Sequence, residues 1–189
     1  MSATFTPDDT DDERTDERSK PWVRWLFLIG VLGFAAFWIW ALFFASKESV
    51  NRIDDRAWAE RAEQICVDAT ERRLALSDWT RIDQGGPELI RRRADIVDQA
   101  TDIIERMLDD VVAVTPTDPK GQEIVPLWEA EYRIYLQDRR NYSDELRATG
   151  ENLAFYETAI DGLPITERVI TFASDNEMDS CAPPADLAA

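Results

Sequence analysis

The sequence predicts an all-α protein, in which a single transmembrane helix is followed by an antiparallel three- to four-helix bundle. Three observations indicate this fold class. Residues 25–45 form an unbroken apolar run, later segments carry apolar residues at heptad spacing, and glycine and proline cluster between those segments. No stretch shows the sustained apolar–polar alternation that is typical of a half-buried strand.

The apolar run of 21 residues contains no charged, amide or hydroxyl side chain. A helix of that length spans about 30 Å, which is the thickness of the hydrocarbon core of a bilayer. A buried helix of a soluble protein normally keeps a polar stripe, and a cleaved signal peptide begins with basic residues, whereas seven acids precede this run. We therefore predict a transmembrane helix over residues 22–45, with the lipid bilayer as its partner.

The transmembrane helix divides the chain into regions of different character. Residues 1–21 are predicted to be a disordered acidic tail, residues 46–184 a helical bundle, and residues 185–189 a disordered C-terminus. Basic residues flank the apolar run on both sides in similar number, so the charge rule alone does not set the orientation. Because a short tail most simply stays in the cytoplasm, we predict a single-pass cell-membrane protein with an extracytoplasmic bundle.

Three long helices are expected within the bundle. No glycine or proline occurs from Ser46 to Ile82, so the first helix is expected to run on from the transmembrane helix. The second spans about 87–114 and the third about 122–149. The seam residues are Trp58, Ala62, Ile65, Ala69, Leu76 and Trp79, then Ile90, Val97, Ala100, Ile104, Met107, Val111 and Val114, and finally Val125, Trp128, Tyr132, Tyr135, Tyr142 and Leu146.

The shorter segments that follow are expected to form a partial fourth layer. One holds Leu153 and Phe155 and stops near Gly162, and a final helix begins where Thr166 can cap it. Seams at heptad spacing also occur in parallel coiled-coil oligomers. The short connections rich in glycine and proline favour packing within one chain instead.

Composition argues against several classes of function. The net charge is −17, of which −14 belongs to the part after the transmembrane helix, so nucleic acid and anionic lipid headgroups are not expected partners. Histidine is absent, which removes the commonest general base and metal ligand. Carboxylates are plentiful, but none is isolated in an apolar setting that would raise its pKa. We therefore expect no enzyme activity, no metal and no cofactor.

The two cysteines, Cys66 and Cys181, both follow the transmembrane helix. An even number in a domain that is expected to be exported suggests a disulfide, although two separate buried thiols are an alternative. Cys66 follows Ile65 on the first seam, and residues 174–184 carry too little apolar surface to dock by burial alone. A bond between the two cysteines would hold this ending and would place their Cα atoms about 4.4–6.8 Å apart.

Three arginines, Arg72, Arg93 and Arg139, each replace an apolar residue on a seam. In an up-down-up bundle they fall toward the same end, which would be distal from the membrane. Guanidinium groups bind carboxylates and phosphates bidentately, so these residues form a possible anion-binding site. The alternative is structural, with the stems covering the end of the core and the charged heads reaching water and nearby acids.

The chain from Thr166 onward reads TERVITFASDNEMDSCAPP. Together with the earlier helical Cys66, this ending resembles uncharacterised extracytoplasmic helical proteins of actinobacterial type, which have a single span or a lipid anchor. The resemblance covers about the last quarter of the chain. It implies a location outside the cytoplasm and a disulfide, and it implies no activity.

Two hypotheses of function follow from these features. The first is a protein-interaction module in the cell envelope, whose partner is an unknown envelope protein. The alternative is a domain that binds or senses a small ligand, either at the arginine-rich end or among the aromatic residues of the third helix. At heptad spacing we expect those aromatic residues to form core rather than a pocket.

Overall fold

The computed structural model of the chain describes residues 21–43, 49–76 and 86–187. The chain divides into two units, Met1–Lys47 and Glu48–Ala189. The described residues form five α-helices and one small two-stranded hairpin, which confirms the all-α class. Residues 1–20 of the predicted disordered tail, the last two residues of the predicted transmembrane span and Trp79 lie outside the described residues, whereas Pro21, the last residue of the predicted tail, is helical.

The first helix, α1, spans Pro21–Phe43. Its Trp22–Phe43 stretch is long and apolar enough to cross a membrane. Large side chains such as those of Trp25 and Phe27 are exposed along it. A helix suits such a segment because it satisfies the backbone polar groups without help from water.

The second unit begins with an irregular entry segment, residues 49–55, rather than with a continuous helix. The prediction of a helix running on from the apolar segment is therefore wrong, because α2 begins only at Arg56 and ends at Leu74. The Asp55 carboxylate accepts hydrogen bonds from the Thr117 N–H at 2.8 Å, the Thr117 hydroxyl at 2.7 Å and the Trp58 N–H at 3.0 Å. These hydrogen bonds, with those from Thr117 the strongest, lower the pKa of Asp55. Asp55 therefore acts as an N-cap that also ties the start of α2 to a distant loop.

A buried asparagine fixes the entry segment in place. Asn176 is fully buried, and its side-chain oxygen accepts a hydrogen bond from the Ile53 N–H at 2.9 Å. Its amide group donates to the carbonyls of Asn51 at 3.0 Å and Phe172 at 2.9 Å. Because these partners satisfy the buried amide, the entry segment and the end of the last helix are held side by side.

The helices α3 and α4 span Gly86–Val112 and Pro119–Thr149. The start of α2 lies at the end of α3, since the Trp58 indole N–H donates to the Val114 carbonyl at 2.6 Å and Arg61 donates to the Asp110 carbonyl at 2.7 Å. These donors satisfy carbonyl groups that a helix end leaves without partners. The helices α2 and α3 are therefore antiparallel, as predicted.

The start of α4 differs from the prediction by three residues. The Asp118 carboxylate caps the helix by accepting a hydrogen bond from the Gly121 N–H at 2.6 Å, and Pro119 occupies the first turn. Gly121 lies inside this turn, where an added Cβ would come within 2.7 Å of both Asp118 and Pro116. The predicted end at Gly150 is confirmed, with a φ of 68° that favours glycine.

The segment after α4, which was predicted to form part of a fourth layer, has no regular secondary structure over residues 152–158. It leads into a hairpin of β1, Ala159–Ile160, and β2, Leu163–Pro164, in which Ala159 faces Pro164 and Ile160 faces Leu163. The Asp138 carboxylate on α4 accepts hydrogen bonds from the backbone and hydroxyl of Thr158 at 2.7 and 2.9 Å. These contacts with α4 compete with local helix formation.

The last helix, α5, spans Ile165–Asp175 and lies antiparallel to α4. Phe172 stacks on Trp128 with ring centroids 5.2 Å apart, and Arg168 donates to Glu131 at 2.6 Å. Thr166 does not cap the helix, contrary to the prediction, because the N-cap position is Pro164 and Thr166 lies inside the first turn, where its N–H donates to the Glu157 carboxylate. A single 3-10 turn, Asp179–Cys181, follows α5.

The predicted seams form most of the core. The described seam residues of α3 and α4 are buried, and so are Trp58, Ala62 and Ala69 of α2. The exceptions lie at the edges. Ile65 is half-buried, Leu76 falls beyond the end of α2 and is half-buried, and Val114 falls beyond the end of α3 and is exposed. Heptad spacing therefore predicts the interior of this domain well.

Candidate functional site

A disulfide joins α2 to the last part of the chain. Cys66 and Cys181 are bonded, are fully buried and have Cα atoms 5.0 Å apart, which confirms the predicted bond and its geometry. One residue earlier, the Ser180 N–H donates to the Glu63 carboxylate at 2.9 Å. These contacts fix the C-terminal strap, residues 178–187, against α2.

The guanidinium of Arg139 lies in the interior, close to this strap. Its Nε donates to the Thr101 hydroxyl at 3.0 Å and one terminal nitrogen donates to the Tyr135 hydroxyl at 3.0 Å. The two terminal nitrogens also bind the two oxygens of Asp186, at 2.7 and 3.1 Å. All three nitrogens of the buried cation thus have partners within the chain.

The electrostatics of this site keep the arginine charged and the phenols neutral. Burial lowers the pKa of Arg139, but the Asp186 carboxylate and Tyr135 outweigh it, so its pKa is raised overall. Burial raises the pKa of Tyr135 and of the fully buried Tyr132. The arrangement is a closed ion pair rather than an acid–base pair that could exchange protons with a substrate near neutral pH.

The C-terminal residues therefore pack against the domain, and the prediction that residues 185–189 are disordered is wrong for the part that the structure describes. Asp186 supplies the carboxylate that pairs with Arg139, and the Arg73 guanidinium lies 3.6 Å from the same side chain. Leu187 is buried in a second apolar cluster with Ile90 and Tyr142. Residues 188–189 lie outside the described residues.

The three arginines of the predicted anion site do not share a ligand. Arg72 is exposed and donates to the Asp68 carbonyl of its own helix at 3.2 Å. Arg93 is half-buried with its guanidinium 6.0 Å from the centroid of the Tyr142 ring. Among these three, Arg139 alone binds the carboxylate of a described residue, and the neighbour that joins it is Arg73 rather than Arg72.

The interior beside this site is filled. A cavity lined by Arg73, Tyr132, Met107 and Pro184, among others, has a volume of about 10 Å³, which is room for about one water molecule. The aromatic residues of α4 pack on one another, with Tyr132 at 5.5 Å from Trp128 and 6.1 Å from Tyr135 between ring centroids. These residues form core, as expected.

An ion-pair ladder connects the outer faces of α3 and α4. Three arginines at seven-residue spacing on α4 face a row of acids on α3 that runs in the opposite direction. Arg133 binds Asp109, Arg140 binds Asp98, Asp102 and Glu105, and Arg147 binds Asp95 and Asp98. The ladder fixes the antiparallel register of the two helices, and a network of this kind contributes more than isolated surface pairs do.

Asp98 is the central acid of this ladder. Its burial raises the pKa, but hydrogen bonds from the Ser143 hydroxyl and Arg147, with the charge of Arg140, outweigh burial and lower the pKa below the usual 3.8. A carboxyl group with a lowered pKa stabilises the fold above its unfolded-state pKa, and this contribution disappears as pH falls through the folded-state pKa.

We expect the Ser143→Ala variant to be less stable than the parent chain near neutral pH and this difference to shrink as the pH falls, because the variant lacks the hydrogen bond that lowers the pKa of Asp98. The measurement is the free energy of unfolding in urea from about pH 2 to about pH 7. Thr171→Ala, which removes an exposed hydroxyl bonded only to the Glu167 carbonyl, is the control. Identical pH profiles for the two variants would contradict the assignment.

The sequence contained no strong signal for the residues that complete the Arg139 site. Asp186 follows two prolines in a short polar ending, and Arg73 is one of two adjacent arginines with no feature that distinguishes it. The seven-residue spacing of Arg133, Arg140 and Arg147 was visible and could have indicated the ladder. Comparison with known protein families, with curated proteins and with solved structures found no match to this chain.

Proposed function

We propose that the chain is a single-pass cell-membrane protein whose bundle lies outside the cytoplasm and binds another protein of the cell envelope. The observation that carries this proposal is the disulfide between Cys66 and Cys181 in a chain that also has a membrane-length helix. Disulfides persist mainly in oxidising compartments, so the second unit belongs on the outer side. The acidic tail then lies in the cytoplasm.

A binding role at the surface is better supported than a small-ligand site. Arg139, which was predicted to bind an anion, already holds the carboxylate of Asp186 in the same chain, and the cavity near it has room for about one water molecule. The surface is strongly acidic, which favours a partner with a basic face. We assign the domain no catalytic role and no cofactor.

The proposed topology makes a direct prediction for protease added to intact spheroplasts. The part of the chain after Ser46 should be digested, because it lies outside, and an epitope in the acidic tail should survive. Immunoblots for the tail and for a cytoplasmic marker protein give the readout, with detergent-lysed cells as the positive control. Protection of the bundle in intact spheroplasts would overturn the orientation.

The interaction itself is tested by photo-crosslinking of the full chain in its native membrane. A photoreactive residue is placed at the exposed positions Val67, Leu127 and Tyr156 in turn, with exposed Glu145 as a polar control position. We expect a discrete protein adduct from at least one of the three apolar positions, identified by mass spectrometry and by reciprocal crosslinking. Absence of an adduct at every position in a folded, membrane-inserted chain would contradict the proposal.

A further inference from the structure

The backbone between α4 and β1 has hydrogen-bonding groups that find no partner among the described residues. Among the described residues, the N–H groups of residues 152–157 have no acceptor, and the Leu153 carbonyl accepts a bond from the Tyr142 hydroxyl at 3.1 Å. The stretch continues directly into β1, whose pairing with β2 extends to the bond from the Ile165 N–H to the Thr158 carbonyl at 2.9 Å. Residues 152–157 therefore lead directly into a strand while their backbone groups remain largely without partners among the described residues.

This segment is held in place by α4 although its backbone is unpaired. Phe155 lies edge-on between Tyr135 and Tyr142, with centroid distances of 6.2 and 5.6 Å, and Asp138 holds Thr158 at the far end. Exposure alternates along the segment: residues 153, 155 and 157 are half-buried, and residues 154 and 156 are exposed. A fixed, extended edge lowers the ordering cost of binding.

We propose that residues 152–157 form a docking edge to which an extended, basic segment of the partner protein adds as a β-strand. Exposed strand edges with free N–H and C=O groups are templates for this mode of recognition. Tyr156, with 84% of its surface exposed, and Leu163, with 53%, offer apolar contacts to the incoming strand. The proposal rests on the interaction role described above and specifies where and how the partner binds.

The negative charge around the docking edge indicates which kind of strand binds there. From position 148 to position 167 the chain has no lysine or arginine and four acids, Glu151, Glu157, Asp161 and Glu167. A second copy of the same segment, or the acidic tail of this chain, would bring like charges together, so neither fits. A strand in which lysine or arginine alternates with apolar residues complements both the charge and the exposed side chains.

The test uses the full chain in nanodiscs and an eight-residue peptide in which lysine alternates with valine. The control peptide has the same sequence with N-methyl groups on its four central amides, which preserves charge but blocks strand pairing. With saturating peptide, we expect millisecond hydrogen–deuterium exchange of amides 152–157 to slow by about tenfold or more. The N-methylated peptide should leave their exchange unchanged.

A matched pair of charge variants distinguishes binding at this edge from general electrostatic attraction of the peptide to the acidic domain. Glu151→Lys/Asp161→Lys should weaken binding of the peptide by about tenfold or more, because like charges then meet at the edge. Glu60→Lys/Asp68→Lys changes the charge by the same amount at exposed positions on α2 and should change the affinity much less.

Several outcomes would overturn the docking edge. They are unchanged exchange at residues 152–157, equal binding of the N-methylated peptide, and equal weakening by the two charge variants. If photo-crosslinking nevertheless captures an envelope protein at Val67 or Leu127, that result supports the interaction role, and only the proposed docking edge is contradicted. If no position crosslinks while the peptide slows exchange at the edge, the strand-binding capacity of the edge is supported and the proposed envelope partner is contradicted.

Discussion

Replacing both Cys66 and Cys181 by alanine is expected to lower the free energy of unfolding of the second unit by about 4–5 kcal/mol on the chain-entropy model. The bond closes a loop with a sequence separation of 115 residues, so its loss releases much freedom in the unfolded chain. The bond also anchors the C-terminal strap at Cys181, between the buried side chains of Met178 and Leu187. Urea unfolding of the full chain in detergent micelles, monitored by tryptophan fluorescence, measures the loss.

A reductant provides the control for the cysteine variant. Treating the parent chain with reductant should produce a loss of similar size, whereas the double alanine variant should not respond. A loss below about 1 kcal/mol in the variant would mean that the remaining contacts hold the strap without the covalent bond.

Replacing Asp186 by alanine is expected to lower the free energy of unfolding by about 2–4 kcal/mol, because Arg139 is then a buried cation without its carboxylate. Asp186 is itself about a quarter exposed, with 28% of its side-chain surface accessible, so the lower part of this range is favoured. The double variant Arg139→Met/Asp186→Ala should recover much of the loss, since a hydrophobic side chain can replace a buried ion pair at little cost. The measurement is urea unfolding under the same conditions.

Acetate offers a second readout for the same site. In the Asp186→Ala variant it can replace the missing carboxylate, so it should raise the stability of that variant and leave the parent chain unchanged. Glu88→Ala removes an exposed acid paired with Arg91 and should change stability by less than about 0.5 kcal/mol. An Asp186→Ala loss as small as that of Glu88→Ala would show that the buried pair contributes little.

The sequence predicted the long helices and their buried faces because heptad spacing reports directly on which side of a helix is apolar. Trp128, Tyr132 and Val97 are buried as that spacing requires. The same spacing placed Arg139 on the seam but could not show that its guanidinium points inward. Its carboxylate partner lies 47 positions away, in an ending with no periodic signal.

The segments that were predicted wrongly are those whose conformation depends on distant side chains. The entry segment has no helix-breaking residue, yet Asn176 and Thr117 hold it in an irregular conformation. The segment before β1 was assigned only to a partial fourth layer, and contacts with Asp138 and the tyrosines of α4 set its non-helical path. Local patterns cannot predict such contacts, because each partner is remote in sequence.

The position of Asn176, Cys181 and Asp186 in the sequence also affects when the domain can fold. Asn176 fixes the entry segment, Cys181 completes the disulfide and Asp186 neutralises the buried Arg139. All three are synthesised after the four helices of the second unit, so the nascent bundle lacks its closing contacts until this part of the chain has left the ribosome. A chain that is threaded across a membrane during synthesis would therefore remain loosely packed while it passes, and it would become stable only once these residues had emerged on the other side.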